Sequence, residues 1–460
     1  MFHPLLTSLW LLSCAATHAA TLYAPESPGV PVQQVHLGLG EDEDITVSWS
    51  TPVGIFASSC VQYAPFAATP LNARDREILS QDVYSFSLSS CGHSEMFVDG
   101  GTAKRAQVLH RTKLTNLQPG FSYAYQCGGP EGWSETFTFT ARRNLEQLAH
   151  DALRLLVFGD MGLENAQAWP DIQADAGSSF YDAALSPGDF AYDFRDEDGR
   201  RGDEFMMSLQ PLAATLPFVV SPGNHECHYN FSHYKKRFAM PNVQQTENLY
   251  FSFDMGPAHI ISYNTERCDA EHEASRKGIP SACPLDAHLC SAAPTANEMT
   301  FPVEDLFFTY GVDLAVYGHI HDYEHFYPVY DRKVFGDGNR LRHVNPLATV
   351  HVTSGAPGNV EMVKGNLDPP RGPCNSSTPW CAFQSGYYPR NGQNADYSFS
   401  KVFVHNASHL HWVQWSSTLQ QVVDEFWIEQ HSHGGFREKL DRRKARRKLV
   451  ERGLLDYTDL

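Results

Sequence analysis

Leu155-Leu156-Val157-Phe158, followed by Gly159-Asp160-Met161-Gly162, is a short apolar run that stops on a glycine and presents a carboxylate, and the chain repeats this device three more times. Ala183 to Leu185 leads into Gly188-Asp189-Phe190-Ala191-Tyr192, Phe218 to Val220 into Gly223-Asn224-His225-Glu226, and Leu314 to Tyr317 into Gly318-His319-Ile320-His321. Short apolar runs bounded by turn residues read as buried strands. Glycine then permits the sharp turn that exposes one oxygen or nitrogen at each strand's carboxyl end. Two aspartates, a tyrosine, an asparagine and two histidines gathered this way form a mixed set suited to a hard trivalent ion beside a borderline divalent one. The pattern points to a two-metal hydrolase site.

In this order and at strand ends, GDxG, GDxxY, GNHE and GHxH resemble the purple acid phosphatases of the metallophosphoesterase superfamily, over about Val32 to Glu429. The tyrosine of the second motif separates that family from its relatives. The resemblance implies an α+β multidomain protein. A fibronectin III-like β-sandwich would occupy residues 21–147 and an α/β metallophosphoesterase sandwich 148–430, with a basic tail over 431–460. It also implies roles: Asp160, Asp189, Tyr192 and His321 holding Fe(III), with Asp189 bridging to a divalent ion (Zn, Fe or Mn) that also takes Asn224 and His319. His225 would hydrogen-bond the substrate phosphate as the catalytic side chain, and Glu226 would support the ligands from behind. The implied reaction is acid hydrolysis of a small phosphate monoester by hydroxide attack on phosphorus, since a trivalent ion acidifies water more than a divalent one does.

One part of the family's pattern is not found. The resemblance calls for a helix and then a strand ending in a divalent-metal histidine between GNHE and GHxH. Here the strand-like His259 to Asn264 runs into Cys268-Asp269-Ala270-Glu271-His272-Glu273, and from there to Thr300 the chain is rich in Ala, Pro and Cys. The pattern resumes at Val303, as though a block had been skipped, and His272 and His288 are the only histidines in the gap. The divalent side is therefore expected to be short of a ligand. Two alternatives stay open: a catalytically impaired or silent glycoprotein form, and a two-metal phosphodiesterase. Loss of a central strand also predicts a weakened catalytic domain beside a β-sandwich that survives by itself.

Composition agrees with an enzyme of the secretory route. A chain of 460 residues is long enough for two or three domains. Leu5 to Leu12, then small residues to Ala19 and Ala20, resembles a signal peptide, and no later apolar run approaches the roughly 18 residues that span a bilayer. Secreted or lysosomal residence is expected. The sequons at Asn230, Asn375 and Asn406 fit that compartment. A net charge of -18 argues against nucleic acid as partner, because polyanion binding wants a basic face. Of ten cysteines, Cys14 falls in the leader, and the odd nine left imply a free thiol or an intermolecular bridge; Cys374 and Cys381 are spaced to close a short loop.

In the first module Ile45 to Ser50 alternates, as do Phe121 to Tyr125 and Thr136 to Thr140, the pattern of a sandwich, with Trp49 and Tyr123 read as core. Leu117-Gln118-Pro119-Gly120-Phe121-Ser122-Tyr123 resembles the late-strand signature of fibronectin type III modules. Asn144 to Asp151 reads as a linker. His343, His351, His405, His409 and His411 read as sheet or loop residues because none follows a strand-ending glycine. The basic stretch from Arg437 to Arg452 reads as a solvated helix.

Overall fold

Alternating β-branched and aromatic residues in the first third of the chain build two antiparallel sheets. The computed structural model describes residues 32–40, 43–54, 58–67, 86–177, 180–266, 303–364, 374, 379–385 and 396–451. One sheet orders the strands Gln33–Leu39, Ile45–Pro52, Ala106–Leu114 and His93–Val98. The other orders Leu88–Cys91, Cys60–Ala67, Ser122–Gly129 and Gly132–Trp133, with Phe137–Thr140 also on Ser122–Gly129. Val35, Leu37, Val47 and Trp49 of the first sheet share a core with Val61, Tyr123 and Tyr125 of the second. His110 pins the two together: one ring nitrogen lies 2.9 Å from Thr51 Oγ1, the other 2.9 Å from Ser59 Oγ, and its ring stacks on Trp49.

Burial drives the His110 pKa down to about 4 from the ordinary 6.5. The folded state therefore takes up its proton later than the unfolded chain does, and stability present above pH 6.5 drains away as pH falls toward 4. We expect the free energy of unfolding, followed by tryptophan fluorescence in urea, to drop between pH 7 and 5 by on the order of 1 kcal/mol from this residue. His110→Gln, which keeps a hydrogen-bonding side chain, should flatten that part of the profile. An unchanged slope would remove His110 as its source.

The expected in/out alternation of Ile45 to Ser50 is only half of the arrangement. Thr46, Ser48 and Ser50 are buried as well as Ile45, Val47 and Trp49. The polar face of this sheet is turned toward the following domain. His36 Nε2 meets the Arg237 carbonyl at 2.8 Å, Gln34 reaches Asp203, and Gly38 lies so near the Ala239 carbonyl that a Cβ there would come within 2.1 Å. One continuous apolar core crosses this boundary, from Val35 and Leu37 to Phe218, Phe238 and Met240, beside the sandwich expected to be self-sufficient. Between the two regions, Asn144 caps the short helix Leu145–Leu148 in a reciprocal box with Gln147, and Leu148 is buried.

The second region sets parallel strands Leu153–Val157, Ala183–Ser186 and Phe218–Val220 side by side. Leu153–Val157 then pairs antiparallel with Ser398–Asn406, and His409–Ser416, Gln421–Glu429 and Arg342–Val344 complete a seven-stranded sheet. A second sheet orders Leu314–Tyr317, Val350–Ser354, Tyr323–Phe326 and Cys381–Ser385. The Ser354 and Ser400 hydroxyls join the two sheets at 2.8 Å. Because the leading strands are parallel, their carboxyl ends emerge at one edge, where α/β folds place ligands.

The gap in the family pattern has a structural counterpart at the sheet edges. Among the described residues Ala258–Tyr263 pairs only with Tyr250–Met255, and Leu314–Tyr317 only with Val350–Ser354. Aromatic rings link these edges: Tyr263 meets Phe307 at 6.1 Å, Phe307 meets His351 at 6.4 Å, and His351 stacks on Tyr317 and hydrogen-bonds its hydroxyl at 3.0 Å. His272 and His288 lie outside the described residues. So do the leader and Asn375. Cys60 bonds to Cys91 and Cys374 to Cys381, while Cys127 is a buried free thiol. The basic stretch forms the helix Phe436–Glu451, anchored by Phe436 against Phe308. No described helix is long and apolar enough to cross a membrane.

Candidate metal centre

Each of the four strand-end loops delivers its side chains to the same place. From the first and second loops Asp160 and Tyr192 meet, the phenol donating to Asp160 Oδ1 at 3.2 Å; from the fourth, His321 Nε2 stands 2.9 Å from the phenol and 3.5 Å from Asp160 Oδ1. A second group forms where His319 Nδ1 comes 2.9 Å from Asn224 Oδ1 and 3.8 Å from Asp189 Oδ2. Asp160 and Asp189 stand close enough for the charge of one to act on the other, which joins the two groups. All six candidate ligands are therefore neighbours. His225 sits beside them, its backbone N–H donating to Asp189 Oδ1 at 3.0 Å and its ring 4.2 Å from that of Tyr192.

The loops carry backbone strain. Asp160, Asp189, Tyr192 and His319 all have left-handed φ, between 49° and 70°, a region costly for residues with a Cβ and concentrated at functional sites. The glycines serve close approach as much as turning. A Cβ on Gly318 would lie 2.6 Å from Asp160 Oδ2, and one on Gly223 would lie 2.2 Å from Asp189 Oδ1.

Electrostatics fit a cationic guest. Asp160 and Asp189 are fully buried. Burial and the charge of Asp189 push the Asp160 carboxyl well above its ordinary range, while His319 and His225 help Asp189 keep its charge. Burial and both carboxylates likewise drive the Tyr192 phenol up, so that ionising it calls for added positive charge. Ligand atoms about 2.1 Å from a shared ion stand roughly 3 Å apart when adjacent, the spacing found between Tyr192, Asp160 and His321. Among the described residues, His, Cys, Asp and Glu alone form no three-membered group able to hold an ion. The fit thus depends on the Tyr192 phenol and the Asn224 amide.

Of the residues that support this arrangement, the sequence suggested Glu226 and left Asn359, Asp193 and Glu361 unnamed. Glu226, buried, accepts from the Asp189, Phe190 and Gly223 amides at 2.9, 2.9 and 2.8 Å, which locks the second loop to the third. Asn359, from the loop after Val350–Ser354, donates to the Asp160 carbonyl at 2.9 Å and to the Tyr192 hydroxyl at 3.0 Å. The Gly355-Ala356-Pro357-Gly358 turn just before it was the only signal. Asp193 Oδ1 accepts from His225 Nδ1 at 3.0 Å, and Glu361 lies 3.9 Å from its Nε2. Burial opposes protonation of His225, but the bond to Asp193 and the charges of Asp189 and Glu226 carry its pKa up to about 9. Of the sequons, Asn230 and Asn406 are exposed, and Asn406 Oδ1 accepts from Ser408 N and Oγ at 2.9 Å.

Known proteins match along this whole arrangement. Residues 32–141 match the family described as Purple acid Phosphatase, N-terminal domain, residues 153–323 match Calcineurin-like phosphoesterase, and residues 348–425 match Iron/zinc purple acid phosphatase-like protein C. The chain is 34% identical over 442 residues to the protein named Acid phosphatase type 7 of Mus musculus, covering 88% of this chain and 92% of that one. The chain belongs to the purple acid phosphatase family. The Homo sapiens protein of the same name is also 34% identical, over 439 residues, 87% of this chain and 92% of its own. A solved purple acid phosphatase, PPD1 from yellow lupin (Lupinus luteus) seeds, shares the fold with a TM-score of 0.64 at 19% identity, covering 87% of this chain and 75% of that one. In a purple acid phosphatase fold the strand-end loops are thus the place to look for chemistry.

Proposed function

We propose that this member of the family is a secretory-route acid phosphatase that hydrolyses small phosphate monoesters at a binuclear centre of Fe(III) and Zn, Fe or Mn. The observation that carries the reading is the pair of buried carboxylates, Asp160 and Asp189, near enough for their charges to interact and flanked by two donor groups. Two such charges side by side are unfavourable without cations between them. Asp160, Tyr192 and His321 would hold the trivalent ion, Asn224 and His319 the divalent one, and Asp189 both. When bound, the ions would supply a nucleophile at acid pH and neutralise phosphoryl charge.

The chain's own residues do the rest. Asn359 orients the Tyr192 oxygen, and Glu226 fixes the Asp189 loop through its amides. Held by Asp193, His225 presents its other ring nitrogen toward Glu361 and is placed to donate to a phosphoryl oxygen. The N-terminal module is read as fibronectin III-like, supported by the Gln118 amide donating to the Tyr123 hydroxyl at 2.8 Å, the corner bond of such sandwiches. Sequons at Asn230, Asn375 and Asn406 accord with the compartment.

One observation favours the second reading, an impaired form. The His319 side chain is 56% exposed, so the divalent side stands open toward solvent. The test is direct: purified protein should contain iron near one per chain and show a visible tyrosinate-to-iron band, with aryl phosphate hydrolysis at acid pH. Colour that persists after Tyr192→Phe would remove Tyr192 from the ligand set. A coloured protein with no turnover would select the impaired form.

A further inference from the structure

A chain whose net charge is -18 carries a helix of the opposite sign. Phe436–Glu451 holds eight Lys and Arg against three acids. Its first turn is fixed to the body. Phe436 is buried with its ring 6.0 Å from that of Phe308, the Lys439 ammonium lies 5.0 Å from the centre of the Phe436 ring, and Gly435 passes so near the Thr309 carbonyl that a Cβ there would come within 2.2 Å. After Leu440 the helix leaves the surface: Asp441 to Ala445, Arg447 and Lys448 are all exposed, and five consecutive exposed residues go fully round it. A helix polar on every side has no core to complete, and pairs one turn apart sustain it. Glu438 with Arg442 at 3.3 Å and Glu451 with Arg447 at 3.5 Å supply two such pairs, and Asp441 lies 3.9 Å from Lys444. The three acids are thereby used. Arg443 and Lys448 make no ion pair among the described residues, and the side chains of Arg442, Lys444 and Arg447 stay 78%, 73% and 76% exposed despite their partners.

We propose that the turns beyond Leu440 are a docking surface for a sulfated polysaccharide. Arg443 and Arg447 stand four positions apart, as do Lys444 and Lys448, so two adjacent rows of cations repeat about every 6 Å along one side of the helix. A linear chain of fixed negative charges can follow these rows while keeping clear of the acidic body. Guanidinium groups take such oxyanions through paired hydrogen bonds. A lipid surface fits less well, since an interfacial helix needs a broad apolar face and Phe436 is already buried against the body. A nucleic acid duplex would bring its phosphates against the acidic remainder of the chain. The choice of polysaccharide takes the secretory route from the reading above, and the metal centre plays no part in it.

The test follows binding of the full chain to immobilised heparin across a salt series, with wild type beside a variant carrying both Arg443→Glu and Lys448→Glu. The new carboxylates would lie one turn from Arg447 and Lys444, so the helix and the melting temperature should hold. We expect affinity at low salt to fall about ten-fold or more, and the slope of log affinity against log salt to lessen by about two, one for each lost contact. Equal affinity of the two proteins overturns the proposal, as does wild type that washes through heparin at low salt. Wild type that binds phosphatidylserine vesicles or a DNA duplex as tightly as heparin also overturns it, because the surface then belongs to that partner or to any polyanion. Should the double reversal lower the melting temperature, Arg443→Gln with Lys448→Gln decides alone: weaker heparin binding supports the site, and unchanged binding refutes it. Iron content tests the metal reading separately, so either can fail without the other.

Discussion

Asp189→Asn should strip the divalent ion and most of the iron and lower turnover of an aryl phosphate by about a thousand-fold or more, the scale of removing charge stabilisation from a transition state. Asp189 is the link between the two donor groups, near Asp160 on one side and facing His319 on the other. Asparagine matches its shape and keeps an oxygen to accept from the His225 amide. The loop amides stay with Glu226. The fold should therefore hold, and metal analysis would read the lost charge alone. Full metal content and normal turnover in Asp189→Asn would remove the binuclear reading.

Arg237→Ala should be the most destabilising single change away from the centre. The Arg237 side chain is 1% exposed and donates to Gln34 Oε1 and Asp203 Oδ1, each at 2.7 Å, and to His233 Nδ1 at 3.3 Å. Asp203 also takes Arg105 at 2.8 Å and Gln107 at 3.0 Å, so one buried network ties the first sheet to the catalytic region. Without Arg237 the buried Gln34 and His233 lose a partner and Asp203 keeps only Arg105, Gln107 and Gln34, so the loss should approach the about 3 to 5 kcal/mol of breaking a buried pair. Wild type should melt in a single calorimetric transition, because its apolar core is continuous across this boundary. Arg237→Ala should melt lower and begin to separate into two transitions. Two well-separated transitions already in wild type would favour the self-sufficient sandwich that the sequence suggests.

The difference between those two expectations shows what a sequence can carry. Strand ends such as Phe218–Val220 and Leu314–Tyr317 are legible because apolar run length and the glycine after it are local signals. Alternation in Ile45 to Ser50 is equally legible, but which partner covers its polar face is not. In the same sheet Gln34 and His36 bond to Arg237, up to 203 positions along the chain, and no local pattern encodes such an approach.

The same division runs through the candidate centre. By itself the sequence determined the order of the loops and the chemical type of the six candidate donors, because each depends on neighbours within a few residues. Only the tertiary structure decided that Asn359 steadies Tyr192 and that Asp193 holds His225. It also decided that left-handed backbone falls on four of the candidate donors, Asp160, Asp189, Tyr192 and His319. These outcomes depend on where separate strands end in space, and a chain's pairing register and loop closure set that only once the whole core has packed.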